Sequence, residues 1–265
     1  GATTRPRRFP ERGFTMRLNN RYRTKIAGFC FILPALLVVG LLLLYPVVSS
    51  IFYSFTSKHL IKPGYDFVFF DNYIKILTDK DFWMSFLTSV RWTIVSLIGQ
   101  IVVGFTAALA LERIRHGRGI YRTLLIIPWA FPSIVIALSW KWILNGVSGF
   151  LPNFLVKIGL CQSAPQFFSS GGLVFPTLVF INIWFGAPLM MVNILSALQT
   201  VPRDQYEAAQ LDGATSLQSF AYITIPHIRN VIGLLVVLRT IWVFNSFDII
   251  YLITGGGPAN KTMTV

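Results

Sequence analysis

Three side chains near the carboxyl end of the sequence, Trp242, Asn245 and Asp248, recur at three-residue intervals within a mostly apolar stretch. On one helix that spacing lines them along a single face, with an aromatic surface beside an amide and a carboxylate. Such a stripe suits a sugar, because the aromatic face covers the apolar side of the ring while the amide bonds to hydroxyls. The alternative is that Asn245 and Asp248 simply hydrogen-bond a neighbouring helix. Arg239 lies one turn before Trp242, and Asn182 and Asn193 lie in an earlier apolar stretch. Polar groups inside a span are the default functional candidates. For Arg239 three roles stay open: pairing with a partner subunit, running its head toward the interface, or meeting an anionic solute.

Reactive chemistry is absent from the rest of the sequence. His59, His116 and His227 are scattered singly, and Cys30 and Cys161 have no metal-ligand spacing. No nucleophile–base constellation stands out, so no catalytic or metal-binding residue is expected. The chain also lacks the Gly-x-x-x-x-Gly-Lys-Ser/Thr loop, and indeed any Gly-Lys pair, so it cannot itself cradle the phosphates of ATP.

The elements that hold these polar groups are membrane spans. The 265 residues are 54% hydrophobic and 12% charged, with a mean hydropathy of +0.63, whereas a soluble domain carries about a quarter charged residues. About 20 residues of helix cross the hydrocarbon, and five stretches qualify: Ile26–Phe55, Leu87–Leu111, Thr123–Leu144, Leu173–Leu198 and Val231–Ile253. Prolines interrupt several, among them Pro34, Pro46, Pro128, Pro132, Pro176 and Pro188. Kinks of this kind are tolerated where neighbouring helices or an internal cavity satisfy the freed backbone groups. The expected fold is all-α, a polytopic transmembrane helix bundle.

The net charge of +13 is not a nucleic-acid signature, because its distribution follows the spans. Arg5, Arg7, Arg8, Arg12, Arg17, Arg21, Arg23 and Lys25 precede the first apolar stretch, and Arg113, Arg115, Arg118 and Arg122 fill one short loop. Basic residues gathered on alternate loops put those loops on the cytoplasmic side. The amino terminus is then inside, Ser57–Phe86 and Asn145–Gly172 outside, and Gln199–Asn230 inside. Cys30 and Cys161 fall on opposite sides, which argues against a disulfide between them. A basic segment over residues 1–25 thus precedes a membrane domain over residues 26–265. Met16 is a candidate native start, with a tag or linker before it.

The inner segment over residues 201–229 is the most informative. Asp204 with Glu207 three residues on reads as a capping box for one short helix, and Thr215 with Gln218 as a box for a second. Gly213 suits the left-handed position that ends the first helix, and Pro226 is expected to stop the second. Glu207-Ala208-Ala209, then Asp212-Gly213-Ala214, then Ile223-Thr224-Ile225-Pro226 resemble the EAA signature of ABC-importer permeases in residue type and spacing. The likeness extends to Asp71-Asn72-Tyr73, Ile127-Pro128-Trp129, Trp140-Lys141-Trp142, Ile183-Trp184, and Ala197 through Pro202. It ends at Phe247-Asp248 with Thr254-Gly255-Gly256-Gly257-Pro258. These resemble the carbohydrate branch of that family, and within it the larger-partner subgroup of maltose permeases.

That resemblance implies a heterodimer of two permeases in a bacterial cytoplasmic membrane. It also implies two ATPase subunits that hold ATP and Mg, and an extracytoplasmic solute-binding protein that selects a carbohydrate. Glu207, Ala208, Ala209, Asp212, Gly213, Ala214 and Pro226 would form the segment that docks on the ATPase. No cofactor is expected in this chain, and its other contacts would be with membrane lipid. Two departures stand out: the large outer insertion of the maltose protein is missing, and the family's last helix, which would be a sixth span, has no counterpart here. The runner-up is the same machinery importing another polar solute, such as a glycerol phosphate. From a different class, a stand-alone channel or secondary transporter would commonly show a duplicated segment, and none is found.

Overall fold

The computed structural model describes residues 14–265 except 60, 62, 115, 170–171, 258–261 and 265, with side chains from residue 25 onward. The basic side chains before Lys25, together with Lys62, Arg115 and Pro258, lie outside the described residues. Among those residues the elements are helices, with no strand beyond an isolated antiparallel bridge between Thr56 and Phe67. The chain is all-α, as its hydropathy implies. It forms two compact units, Gly1–Thr78 and Asp79–Val265.

In the first unit, α1 (Phe14–Val39) passes through a π-helical turn over Gly40–Leu44 into α2 (Tyr45–Ser54). Pro46 has no N–H, and its ring crowds the carbonyl four residues back. The widened turn absorbs the misfit: the Tyr45 N–H bonds to the Gly40 carbonyl, five residues back, and the helix continues across the proline. The apolar run Lys25–Ser54 is therefore long enough to cross a membrane. After it, α3 (Asp71–Thr78) is tied back to the end of α2 by the Asp71-Asn72-Tyr73 triplet. Asn72 Nδ2 donates to the carbonyls of Ser54 and Thr56, both at 2.9 Å, and the Tyr73 hydroxyl lies 2.7 Å from Ser54 Oγ. Phe52 meets Tyr65 and Phe67 edge to face, and the Lys58 ammonium sits 3.6 Å above the Tyr53 ring. The triplet thus has a local structural role.

In the second unit, α4 (Lys80–Arg113) starts at Asp79, whose carboxylate accepts from the Asp81 N–H at 2.9 Å. Its buried residues, including Trp92, Ser96, Gln100, Gly104, Ala108 and Leu111, repeat every three or four positions, which makes one buried stripe. Next come α5 (Arg118–Ala130), α6 (Ser133–Ile143) and the short α7 (Phe150–Lys157). The third span, expected as one kinked helix over Thr123–Leu144, is instead a pair bent by 91°. Pro132 disfavours helical backbone at the residue before it, and Phe131 is extended at φ −87, ψ 148.

The central α8 (Val174–Leu198) packs along the buried stripe of α4. At Gly104 an added Cβ would lie 2.6 Å from Met190 Cβ, so the missing side chain sets how closely the two helices approach. Beyond α8 follow α9 (Arg203–Leu211), the one-turn α10 (Ser216–Ser219), a second π-helical turn over Phe220–Thr224, α11 (Ile225–Phe244) and α12 (Phe247–Thr254). One apolar cluster gathers Ile136, Leu178, Ile181 and Ile249, and the other gathers Met190, Ile194, Leu198 and Ile228. Among the described residues four runs are long and apolar enough to cross a membrane, and the bent α5–α6 pair makes a fifth if it counts as one span.

Candidate functional site

The segment after α8 folds back sharply. Thr200 Oγ1 donates to the Ala197 carbonyl at 2.7 Å, which closes α8, and Pro202 starts α9 with its fixed φ of −63. Pro202 thereby takes the cap position expected for Asp204, which sits in the first turn and makes no capping bond. Its carboxylate still faces the positive end of the helix dipole. At the other end Gly213 is left-handed at φ +81. The Gly213 N–H bonds to the Gln210 carbonyl at 3.1 Å and the Ala214 N–H to Ala209 at 2.9 Å, the paired bonds of a Schellman turn. The second box forms as read from Thr215 and Gln218: the Thr215 N–H donates to Gln218 Oε1 at 2.7 Å and the Gln218 N–H to Thr215 Oγ1 at 3.3 Å.

Pro226 does not stop this helix. The chain runs from α10 through the π-helical turn into α11, where the Ile225 N–H reaches back five residues to Phe220. The same solution serves Pro46 and Pro226: a wide turn ends at the residue preceding the Xaa-Pro pair. The result is a helix–turn–helix with an exposed tip. Glu207, Ala208, Asp212 and Gly213 are exposed, Ala209 and Ala214 are half-buried, and Leu211 and Leu217 point outward at 90% and 76% exposure. A carboxylate beside small residues, flanked by two bare leucines, is a surface that another protein can cover. Behind it lies a cleft of about 790 Å³ whose lining includes Glu112, Arg113, Tyr206, Gln210 and Phe220. The Tyr206 hydroxyl meets Thr224 Oγ1 at 2.7 Å, and Phe220 packs edge to face on Phe105 with centroids 5.8 Å apart.

A polar knot lies at the meeting of α4, α8 and α11. Arg239, only 6% exposed, donates from Nε and Nη2 to Gln100 Oε1 at 2.9 and 2.6 Å. Gln100, fully buried, donates in turn from Nε2 to the Asn182 backbone carbonyl at 3.0 Å. Room for the guanidinium comes from Gly186, where a Cβ would overlap Arg239 and Gln100. The guanidinium carbon also lies 5.7 Å from the Trp242 ring. Of the roles open to Arg239 in the sequence, the structure gives another: it pairs within its own chain. Asn182 enters through its carbonyl, and its buried Nδ2 has no partner among the described residues. Asn193 stands apart, with Nδ2 donating to the Leu189 carbonyl of its own helix at 2.8 Å.

The expected stripe of Trp242, Asn245 and Asp248 is interrupted. α11 ends at Phe244 and α12 begins at Phe247, so the three-residue interval does not run along one helix. Asn245 closes α11, with both its backbone N–H and its Nδ2 donating to the Ile241 carbonyl, at 3.1 and 2.9 Å. Asp248, in the first turn of α12, accepts from Ser133 Oγ at 2.8 Å. Ser133 is the first residue of α6, so the broken ends of two spans meet here. Lys141 Nζ to the Leu252 carbonyl, at 2.9 Å, holds α6 to α12 further along. Trp92 Nε1 donates to the Val243 carbonyl at 3.2 Å and fixes the end of α11. Trp242, Asn245 and Asp248 are exposed. Gln100, Trp92, Ser133 and Tyr206 are absent from the candidates read in the sequence. Each works through a partner 18 to 151 residues away, and no local pattern marks such pairs.

Among the described residues, four long apolar runs and a bent apolar pair, with an exposed helix–turn–helix between the last two runs, mark a multi-pass membrane transport component. Residues 100–265 match the binding-protein-dependent transport system inner membrane component family, and the chain belongs to that family. Over 92% of its length, and 82% of the relative's, it is 34% identical to the trehalose/maltose transport system permease protein of Thermococcus litoralis. It is 32% identical, over 89% of this chain and 74% of the relative's, to the diacetylchitobiose uptake system permease protein of Streptomyces coelicolor. It is 31% identical, over 91% and 78%, to the sulfoquinovosyl glycerol transport system permease protein of Agrobacterium fabrum. Among solved structures, a bacterial ABC transporter involved in the import of the acidic polysaccharide alginate superposes with a TM-score of 0.78 at 22% identity. The match covers 93% of this chain and 83% of that one.

Proposed function

We propose that this permease forms, with a second permease, the path by which a sugar or oligosaccharide crosses a bacterial cytoplasmic membrane. Solute would arrive on an extracytoplasmic binding protein, and ATP with Mg would be held and hydrolysed on two separate ATPase subunits. The observation that carries the reading is the exposed Glu207-Ala208-Ala209 of α9, turned at Gly213. This short helix fits a cleft on an ATPase: its small residues permit close approach, and Glu207 meets a basic group. Closing of the ATPase dimer then rocks the bundle as a rigid body and exchanges an outward-open path for an inward-open one. The sugar-permease names of the relatives support the substrate class. Purifying the complex loaded with its binding protein and identifying the ligand by mass should yield a carbohydrate. Recovery of a glycerol phosphate instead would overturn the substrate class.

The orientation follows from the charge alternation, with the amino terminus and α9 on the cytoplasmic side. Cysteines replacing Arg118 or Gln210 should be labelled only from the cytoplasmic side. A cysteine replacing Asp71, and the native Cys161, should be labelled only from the outside. Labelling of the Asp71 and Gln210 positions from the same face contradicts this topology.

The substrate path is proposed at the junction of the broken ends, where Asn245 and Asp248 are exposed beside Trp242. Exposed amide, carboxylate and indole groups suit a polyhydroxylated ring. Arg239, Asn182 and Asn193 are bonded within the chain, and they belong to the scaffold of the path. Asn245→Leu keeps the side-chain volume roughly similar and removes a hydrogen-bonding group worth about 0.5–1.5 kcal/mol. Uptake per assembled complex should fall about two- to tenfold, with complex yield retained. Low yield with normal specific uptake would place Asn245 in the packing alone.

A further inference from the structure

We propose that the Tyr206–Thr224 hydroxyl bond is the strap that delivers motion of α9 to α11, and that Tyr206 is a positioning residue for coupling. This rests on the docking role proposed for α9. Along the backbone, α9 reaches α11 through two compliant joints in series. The first is the Schellman turn at Gly213, a position around which an added Cβ would meet nothing within 4 Å. No packing at the glycine itself braces that turn, which is held by its two backbone hydrogen bonds and the box that follows it. The second joint is the π-helical turn over Phe220–Thr224, a geometry that is rare and found mostly at functional positions. Between them α10 is a single turn of four residues. A push on Glu207 carried by the backbone alone has to pass both of these breaks in the α-helical ladder.

The strap bypasses both. Tyr206 is the residue beside Glu207, and its hydroxyl lies 2.7 Å from Oγ1 of Thr224, eighteen residues on and at the last position of the π-helical turn. Thr224 is only 4% exposed and Tyr206 is half-buried, both at the wall of the cleft behind the tip. The Tyr206 ring also packs on the cluster that includes Met190, Ile194 and Ile228, so the side chain is braced along its length. Thr224 is itself the N-cap residue of α11. That helix carries Arg239, which is bonded to α4 through Gln100, and ends at Asn245. Force entering at Glu207 therefore reaches the span that ends at the broken junction without crossing either soft turn.

The test is the number of ATP molecules hydrolysed per solute molecule imported, measured on the assembled importer with its binding protein in proteoliposomes. Tyr206→Phe removes one oxygen and leaves the ring in its packing, and Thr224→Val removes the facing hydroxyl at nearly constant shape. Each should leave complex yield and maximal ATP hydrolysis near wild type while raising the ATP-to-solute ratio about two- to tenfold, the range one lost hydrogen bond allows. The double variant should be no worse than either single one, because both remove the same bond, and Thr224→Ser should restore the wild-type ratio. An unchanged ratio in Tyr206→Phe overturns the strap, as does a double variant whose effect is the product of the singles. If Thr224→Val fails to assemble, Tyr206→Phe and Thr224→Ser still decide the question. Glu207→Arg in the same assay separates the two claims. Normal transport in that variant removes the docking role itself, whereas a dead Glu207→Arg beside a normal Tyr206→Phe removes only the strap.

Discussion

Glu207→Arg is expected to abolish solute uptake while the two permeases still assemble and the binding protein keeps its affinity for ligand. Glu207 is exposed in α9 and its side chain has no hydrogen-bond partner among the described residues, so reversing its charge leaves the bundle intact. What it changes is the meeting of α9 with its docking cleft, where a basic partner would now face a like charge. Like charges brought together at an interface cost several kcal/mol, enough to remove productive docking. Gly213→Val should act at the same surface by a different route. At φ +81 a β-branched residue is strained by about 1–2 kcal/mol, and the Schellman turn that aims α9 should open. Loss of uptake in both variants at wild-type expression, with binding-protein affinity unchanged, is the expected result. Normal uptake in both refutes the docking role.

Gly186→Leu should prevent the second unit from folding into an assembled complex. The Cβ alone overlaps Arg239 and Gln100, and the other three side-chain carbons have nowhere to go in a buried stretch of α8. Overpacking of this kind costs about 1–3 kcal/mol. Here it also forces the guanidinium off the Gln100 amide oxygen, and a hydrogen bond to a charged group is worth about 1.5–3 kcal/mol more. The sum is a large share of the stability of a typical domain. Complex yield should collapse, with any surviving material melting far below wild type. Wild-type yield and melting temperature would mean that the knot of Arg239, Gln100 and Gly186 does not hold α4, α8 and α11 together.

The parts of the fold that were legible in the sequence are those set by local chemistry. The left-handed Gly213 and the reciprocal box of Thr215 and Gln218 follow from residue type and spacing alone, and both form. The five apolar stretches are likewise a property of composition along the chain. Where two local signals compete, residue type and spacing do not say which prevails. Pro202 has its φ fixed by its ring, and it displaced Asp204 from the cap. Pro226 forbids one α-helical bond, but it does not forbid a wider turn that makes the next one. The stripe of Trp242, Asn245 and Asp248 assumed a helix that in fact ends at Phe244. The partners of Arg239 and Asp248, Gln100 and Ser133, are 139 and 115 residues away. Only the packing of the spans brings them together, and no periodicity within a span reports it.

The most direct test is uptake into proteoliposomes that contain this chain with its second permease and the ATPase subunits, supplied with solute-loaded binding protein. The result expected is sugar accumulation that requires both internal ATP and the binding protein, and that is lost with Glu207→Arg. Sugar flux that persists without ATP or binding protein, or with this chain alone in the membrane, would contradict the permease reading and point to a channel or secondary transporter.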